Sequence, residues 1–150
     1  MQLTSAQAIR EVFIENGERR ISAPDGPVQT LIASEVNDLV RLCHALSLAS
    51  GWWPGDPEDD SPLLDATKLG LVMTEVSEAF EGYRTDADDV HLPQYKSVTV
   101  ELADALIRIF DFAGRRNLPL GQALVDKAIY NQRRKDHKPE ERAKVGGKRF

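Results

Sequence analysis

From about residue 28 onward, apolar side chains recur three and four positions apart, and this period constrains the fold more than any other feature. Leu31, Ile32, Val36, Leu39, Val40, Cys43 and Leu46 mark a helix over about 28–49 that stops at Gly51. Leu69, Val72, Val76, Ala79 and Phe80 form the apolar stripe of a second helix over about 64–83. Leu102, Leu106, Ile109, Phe110 and Ala113 do the same for a third over about 97–116. Pro119 suits the first turn of a further helix running to about Arg134. Residues 6–15 read as a short helix closed by Asn16-Gly17. The intervening stretches are rich in Pro, Gly and Asp, above all around Gly51-Trp52-Trp53-Pro54-Gly55. Strand patterns are nearly absent. The expected fold class is therefore all-α, an antiparallel bundle of four to five helices. It divides into an N-terminal arm with a short helix (1–24), a helical core (25–135) and a basic tail (136–150).

At 150 residues the chain has the size of one domain. A hydrophobic fraction of 41% and a charged fraction of 29% suit a folded globular protein and argue against disorder. The net charge of −5 conceals an asymmetry: residues 127–150 hold nine Lys/Arg against three Asp/Glu, and residues 1–126 hold ten against twenty-one. An acidic body argues against long nucleic acid as a partner, because attraction to phosphates dominates such binding. No run of about 18 apolar residues exists to span a membrane. No basic segment followed by an apolar stretch stands at the N-terminus to direct secretion. Cys43 is the single cysteine and lies among apolar neighbours, so a buried thiol and a cytoplasmic location are expected.

Two acidic dyads stand out. Glu75 and Glu78 are three apart on the second helix, and Glu101 and Asp104 are three apart on the third. Residues at that spacing are neighbours on a helix surface. At about 100° per residue, Glu101, Asp104, Arg108 and Asp111 share one stripe opposite the apolar face. If the two helices pair antiparallel, the dyads converge. Four carboxylates so close repel one another unless a cation neutralises them. Oxygen donors suit Mg²⁺, Mn²⁺ or Ca²⁺. Helical di-iron sites use Glu-x-x-His on two helices, and neither dyad supplies a His. On spacing alone, a solvated helix face is still the commoner meaning of such dyads.

Lys127, Asn131 and Arg134 lie at i, i+4 and i+7, which places them on one helix face. Such a face either binds phosphate or simply complements the negative end of the helix dipole. Trp52 and Trp53 either stack on a nucleobase, worth about 1–3 kcal/mol per base, or plug a bundle end or a subunit interface. Arg84 and Arg108 are candidates to support the acids, with surface ion pairing the alternative for Arg84.

These motifs carry a resemblance. Glu75-Val-Ser-Glu78 followed by Glu101-Leu-Ala-Asp104, with 22 residues between, resembles the Glu-x-x-Glu…Glu-x-x-Asp signature of MazG-like, all-α nucleotide pyrophosphohydrolases. Lys127-Ala-Ile-Tyr-Asn131-Gln-Arg-Arg134 resembles that family's Lys-x-x-x-Asn-x-x-Arg element. Gly146-Gly147-Lys148 is similar to the Gly-Gly-Lys ending of many members. The likeness covers about residues 28–150. There are departures: Thr74 precedes Glu75 where many members carry a second acid, and Val145 precedes the paired glycines where many carry His.

The resemblance implies hydrolysis of a nucleoside or deoxynucleoside triphosphate to the monophosphate and pyrophosphate. Glu75, Glu78, Glu101 and Asp104 would be the catalytic metal ligands for Mg²⁺, with Mn²⁺ as a substitute, and Glu78 the choice for general base. Lys127, Asn131, Arg134 and Lys148 would bind phosphates, and Trp52 and Trp53 the base. It also implies a homodimer or homotetramer. The competing expectations are a non-catalytic helical adaptor or metal-binding module with an acidic groove, and a carboxylate-bridged redox metal protein.

Overall fold

The computed structural model describes residues 26–56, 58 and 60–148. The arm expected over 1–24, with its helix over 6–15, lies outside the described residues. Among the described residues there are five α-helices: α1 Gly26–Ala49, α2 Pro62–Thr85, α3 Ser97–Arg115, α4 Leu120–Arg133 and α5 Pro139–Arg142. A single 3₁₀ turn, Lys135–His137, separates α4 from α5. The only extended pairing among them is an isolated bridge between Asp88 and Lys96. The fold is all-α, as the periodicity requires. No described helix is long and apolar enough to cross a membrane.

The described residues fall into two compact units. One is Asp38–Leu118, which contains the second half of α1 together with α2 and α3. The other joins the described residues up to Asn37 to those from Pro119 to Lys148, and so contains the first half of α1, α4 and α5.

In the 38–118 unit, local chemistry sets the ends of α2. The Ser61 hydroxyl accepts from the Leu64 backbone N–H at 3.1 Å, Pro62 occupies the first turn and Asp65 complements the positive end of the helix. At the other end Asp86 adopts a left-handed backbone, φ 51°, and its N–H returns to the Gly82 and Tyr83 carbonyls. Residues 86–96 then turn the chain back. Lys96 pairs with Asp88 at 2.9 Å, and the Ser97 N–H donates to the Ala87 carbonyl at 3.0 Å. α2 and α3 therefore run antiparallel. Gly82 meets Ser97 at the loop end, Glu75 meets Arg108 further along, and Asp65 meets Arg116 at the far end.

Small residues choose the contact face. A Cβ on Gly82 would lie 2.6 Å from Ser97 Oγ and 3.0 Å from the Val98 nitrogen, so the helices touch there backbone to backbone. Gly114 does the same for α1: a Cβ would lie 2.5 Å from that of His44. Ala79, Ala105 and Ala113 are the buried apolar residues of α2 and α3.

This corrects the expected apolar faces. Ala79 and Ala113 are buried as expected, but Leu69, Val76 and Phe80 of α2 and Leu102 and Leu106 of α3 are exposed. The side of α2 that turns inward is offset by one residue and carries Lys68, Val72, Glu75, Ala79 and Gly82. Likewise the acidic stripe of α3, read as the face away from the core, turns inward: Glu101, Asp104 and Arg108 are half-buried and Asp111 is buried. On α1, Val40 and Cys43 are buried while Leu39 and Leu46 are exposed.

In the other unit α4 docks on the first half of α1. The Gly121 N–H donates to Asn37 Oδ1 at 3.1 Å, and Ala33 and Val125 are buried.

Candidate functional site

Because α2 and α3 are antiparallel and in close contact, the two dyads meet. One carboxylate oxygen from each of Glu75, Glu78 and Glu101 lies within 4.8 Å of the others. Glu75 is 5% exposed, Glu101 half-buried and Glu78 exposed, so the group opens to solvent on the Glu78 side. Asp104 does not join this trio and instead lines a neighbouring cavity. Arg108 supports the cluster from α3, its Nε donating to Glu75 Oε1 at 2.6 Å and its Nη2 lying 2.6 Å from the same oxygen as an ion pair. Arg84 pairs with Glu81 on the exposed surface at 2.7 Å, the alternative role anticipated for it.

One guanidinium does not balance this cluster. Burial, and then the charges of Glu78, Glu75, Asp104 and Asp89, push the Glu101 carboxyl above its ordinary range. Burial and Glu75 push Asp104 up as well, against the opposing pull of Arg108. Asp89 is a fifth acid that spacing did not reveal. It is 7% exposed, and its Oδ1 accepts the backbone N–H groups of His91 at 2.9 Å and Leu92 at 2.6 Å. The only signal for it was an Asp in a polar loop, where such side chains commonly cap turns.

Beside the carboxylates lies a cavity of about 230 Å³, lined by Ser47, Trp52, Lys68, Leu71, Asp104, Ile107, Arg108 and Asp111. Trp52 is 68% exposed, and its carbonyl accepts from Lys68 Nζ at 2.7 Å. Trp53 behaves differently. It is buried, with Lys68 Nζ 4.4 Å from its ring centre and the Arg115 guanidinium carbon 5.0 Å from it. Its indole N–H donates to Asp111 at 2.8 Å. Of the paired tryptophans, Trp52 borders the cavity and Trp53 acts as packing.

Asp111 is the hub of that packing. Its carboxylate also takes the Ser47 hydroxyl and His44 Nδ1, each at 2.8 Å. Arg115 completes the support: it donates to both oxygens of Asp60, at 2.6 and 2.8 Å, and to the Pro54 carbonyl at 2.8 Å, tying down the loop after Trp53.

The cations are in the other unit and form a centre of their own. Lys127 and Asn131 lie on α4, while Arg134 is the first residue beyond it, with extended backbone. Lys127 Nζ sits 4.9 Å from the Tyr130 ring centre and the Arg134 guanidinium carbon 6.0 Å from it. Arg134 makes a two-pronged contact with Asp136, Nε to Oδ1 at 3.0 Å and Nη2 to Oδ2 at 2.6 Å. Lys148 Nζ adds a third bond to Asp136 Oδ2 at 2.8 Å. Asn131 Oδ1 is buried without a partner. An orphan acceptor calls for a donor or a cation, so this atom itself is unsuited to a phosphate oxygen.

No family model, curated protein or solved structure matches the chain.

Proposed function

We propose that this chain is a Mg²⁺-dependent nucleotide pyrophosphohydrolase that converts a nucleoside or deoxynucleoside triphosphate to the monophosphate and pyrophosphate. One observation carries the reading: the carboxylates of Glu75, Glu78 and Glu101 converge within 4.8 Å, next to a cavity bordered by an exposed tryptophan and by Asp104. The resemblance of these dyads to the MazG-like signature supports it. An all-oxygen donor set with excess negative charge fits Mg²⁺, which typically takes one or two carboxylates and completes its shell with water and phosphate oxygens. When bound, Mg²⁺ supplies neutralisation of phosphate charge and acidification of water.

The residue roles follow from position. Glu75 and Glu101, the less exposed acids of the trio, would hold the cation, with Arg108 fixing the Glu75 carboxylate. Glu78, the exposed member, accepts the proton of the attacking water. Asp104 borders both the acids and the cavity. Trp52 offers a stacking face for the base. Lys127, Arg134 and Lys148 are phosphate-binding groups. Nucleotide-pool control in the cytoplasm is the corresponding role.

The exposed side of α2 supports a homodimer or homotetramer. Leu69, Met73, Val76, Phe80 and Tyr83 are all exposed and alternate four and three residues apart, the spacing of a helix-pairing seam. Light scattering is expected to give a mass of two or four chains.

The deciding measurement is pyrophosphate release from a panel of nucleoside and deoxynucleoside triphosphates with Mg²⁺, and then with Mn²⁺. Wild type is expected to turn over at least one substrate and Glu78→Gln none, with equal circular dichroism. A folded wild type that releases no pyrophosphate from any of them returns the chain to the second reading, a non-catalytic adaptor, which the same exposed apolar seam favours.

A further inference from the structure

The most heavily engaged carboxylate in the C-terminal unit is Asp136. It is the sole acid between Lys127 and Pro139, yet three N–H donors from two cations converge on it. The chain folds back to achieve this. After α5 a turn at Gly146, φ +82°, brings Lys148 to a residue twelve positions earlier. Arg134 presents the side of its guanidinium, two parallel N–H groups on two oxygens, an arrangement that fits a carboxylate or a phosphate equally. Lys148 supplies the second positive charge that a phosphate needs and a lone carboxylate does not. All three side chains are open to solutes, at 29%, 44% and 55% exposed for Arg134, Asp136 and Lys148.

We infer that Asp136 is an internal stand-in for phosphate, filling the fork of Arg134 and Lys148, so that a phosphate chain must displace it to bind this centre. The inference rests on the reading above, that these cations serve a phosphate chain. Its logic is competition. Asp136 is two residues from Arg134, so it acts as a ligand at high local concentration. Orthophosphate brings little more than a carboxylate to the same donors. A phosphate chain brings several charged oxygens at once and can engage Arg134, Lys148 and further cations of the tail together. Arg134 and then Lys148 hold Asp136 well below the usual carboxylate range, so the stand-in stays charged at neutral pH.

The test separates binding from catalysis. The full chain, in EDTA, is titrated calorimetrically with inorganic tripolyphosphate and with orthophosphate. Asp136→Asn is expected to bind tripolyphosphate about tenfold more tightly, as when the closed form takes nine-tenths of the population. Orthophosphate affinity is expected to rise by the same factor, because both ligands displace the same carboxylate. Glu140→Gln makes the same change in net charge and is expected to leave both affinities unchanged. Equal tightening in Glu140→Gln, unchanged or weaker binding in Asp136→Asn, or no tripolyphosphate binding by either form overturns the inference. In wild type, the Arg134 Nε–H resonance is expected to move as tripolyphosphate saturates the chain. An Arg134–Asp136 pair that persists at saturation also overturns it, whatever the variant's stability. A chain that hydrolyses nucleotides but ignores Asp136→Asn loses only this inference. A chain that hydrolyses none but gains tripolyphosphate affinity loses only the pyrophosphohydrolase.

Discussion

The acids of α2 and α3 and the cations that follow α4 are both clusters of one sign, but they are balanced in different ways. Among the described residues, Glu75, Glu78 and Glu101 converge with only Arg108 bonded into the group, and burial first, then the neighbouring acids, push the Glu101 and Asp104 carboxyls above their ordinary range. Arg134 and Lys148 converge on Asp136, which the fold supplies for them. The first cluster is short of positive charge, which under the proposed function a hard cation would supply. The second is satisfied without a ligand, so an incoming anion must displace something. Under the proposed function, a cation-dependent step at the acids and a competitive one at the cations follow from this difference.

The largest effect is expected at the unbalanced cluster. Glu101→Gln removes one charge from the trio and is expected to lower pyrophosphate release by about 10²–10³-fold, the size of losing one electrostatic stabiliser. In EDTA the same variant is expected to melt higher than wild type, because a repelling charge is gone. A lower melting temperature in EDTA together with full activity would break the comparison, since the cluster would then be a balanced surface.

A second contrast lies within α3 itself. Asp111 is only seven residues beyond Asp104, but every donor it meets belongs to the protein: Trp53, Ser47 and His44. Asp111→Ala leaves a buried indole N–H, a hydroxyl and an imidazole without their acceptor. It is expected to cost on the order of 3 kcal/mol, read by urea denaturation. The Trp52–Trp53 loop is expected to loosen, raising fluorescence quenching by iodide. A loss below about 1 kcal/mol, the value of one ordinary hydrogen bond, would mean that Trp53 is held by packing alone.

These cases show how much could be read along the chain. The helices of the core were legible because periodicity is local, and Gly51 marked the end of α1, whereas the Ser61-Pro62 start of α2 lay within what read as loop. The acidic dyads were legible because i, i+3 spacing is local too. Asp111, Asp89 and Asp136 were not. Asp111 depends on partners more than fifty residues away in sequence. Asp89 serves loop amides, and Asp136 needs a tail that turns back at Gly146. The burial of α2 was displaced by one residue for a related reason. Periodicity finds the greasiest stripe of a helix, Leu69, Val76 and Phe80. The partner helix chose the stripe that allows closest approach, Ala79 and Gly82, and took Glu75 inward with it.

The smallest effect is the one that separates the two centres most cleanly, because its sign differs between them. The carboxyls of Glu101 and Asp104 are raised above their ordinary values of 4.5 and 3.8. For an acid shifted up, the folded form binds protons more readily than the unfolded chain. Its stabilising contribution is therefore complete below those ordinary values and is lost as pH rises through the raised ones. Asp136 is shifted down from 3.8, so its contribution is complete above that value and is lost only as pH falls through the lower one. In EDTA, the melting temperature contributed by the acid cluster is thus expected to rise as pH falls from 7 toward 4.5, while the Asp136 cluster contributes no slope in that window. The double variant Glu101→Gln/Asp104→Asn is expected to flatten the rise, and Asp136→Asn to leave it intact. Mg²⁺ is expected to flatten it too, because a cation favours the deprotonated carboxylates. A wild-type slope of the opposite sign, surviving in the double variant, would show that the acids of α2 and α3 are compensated after all and that the two centres differ only in charge.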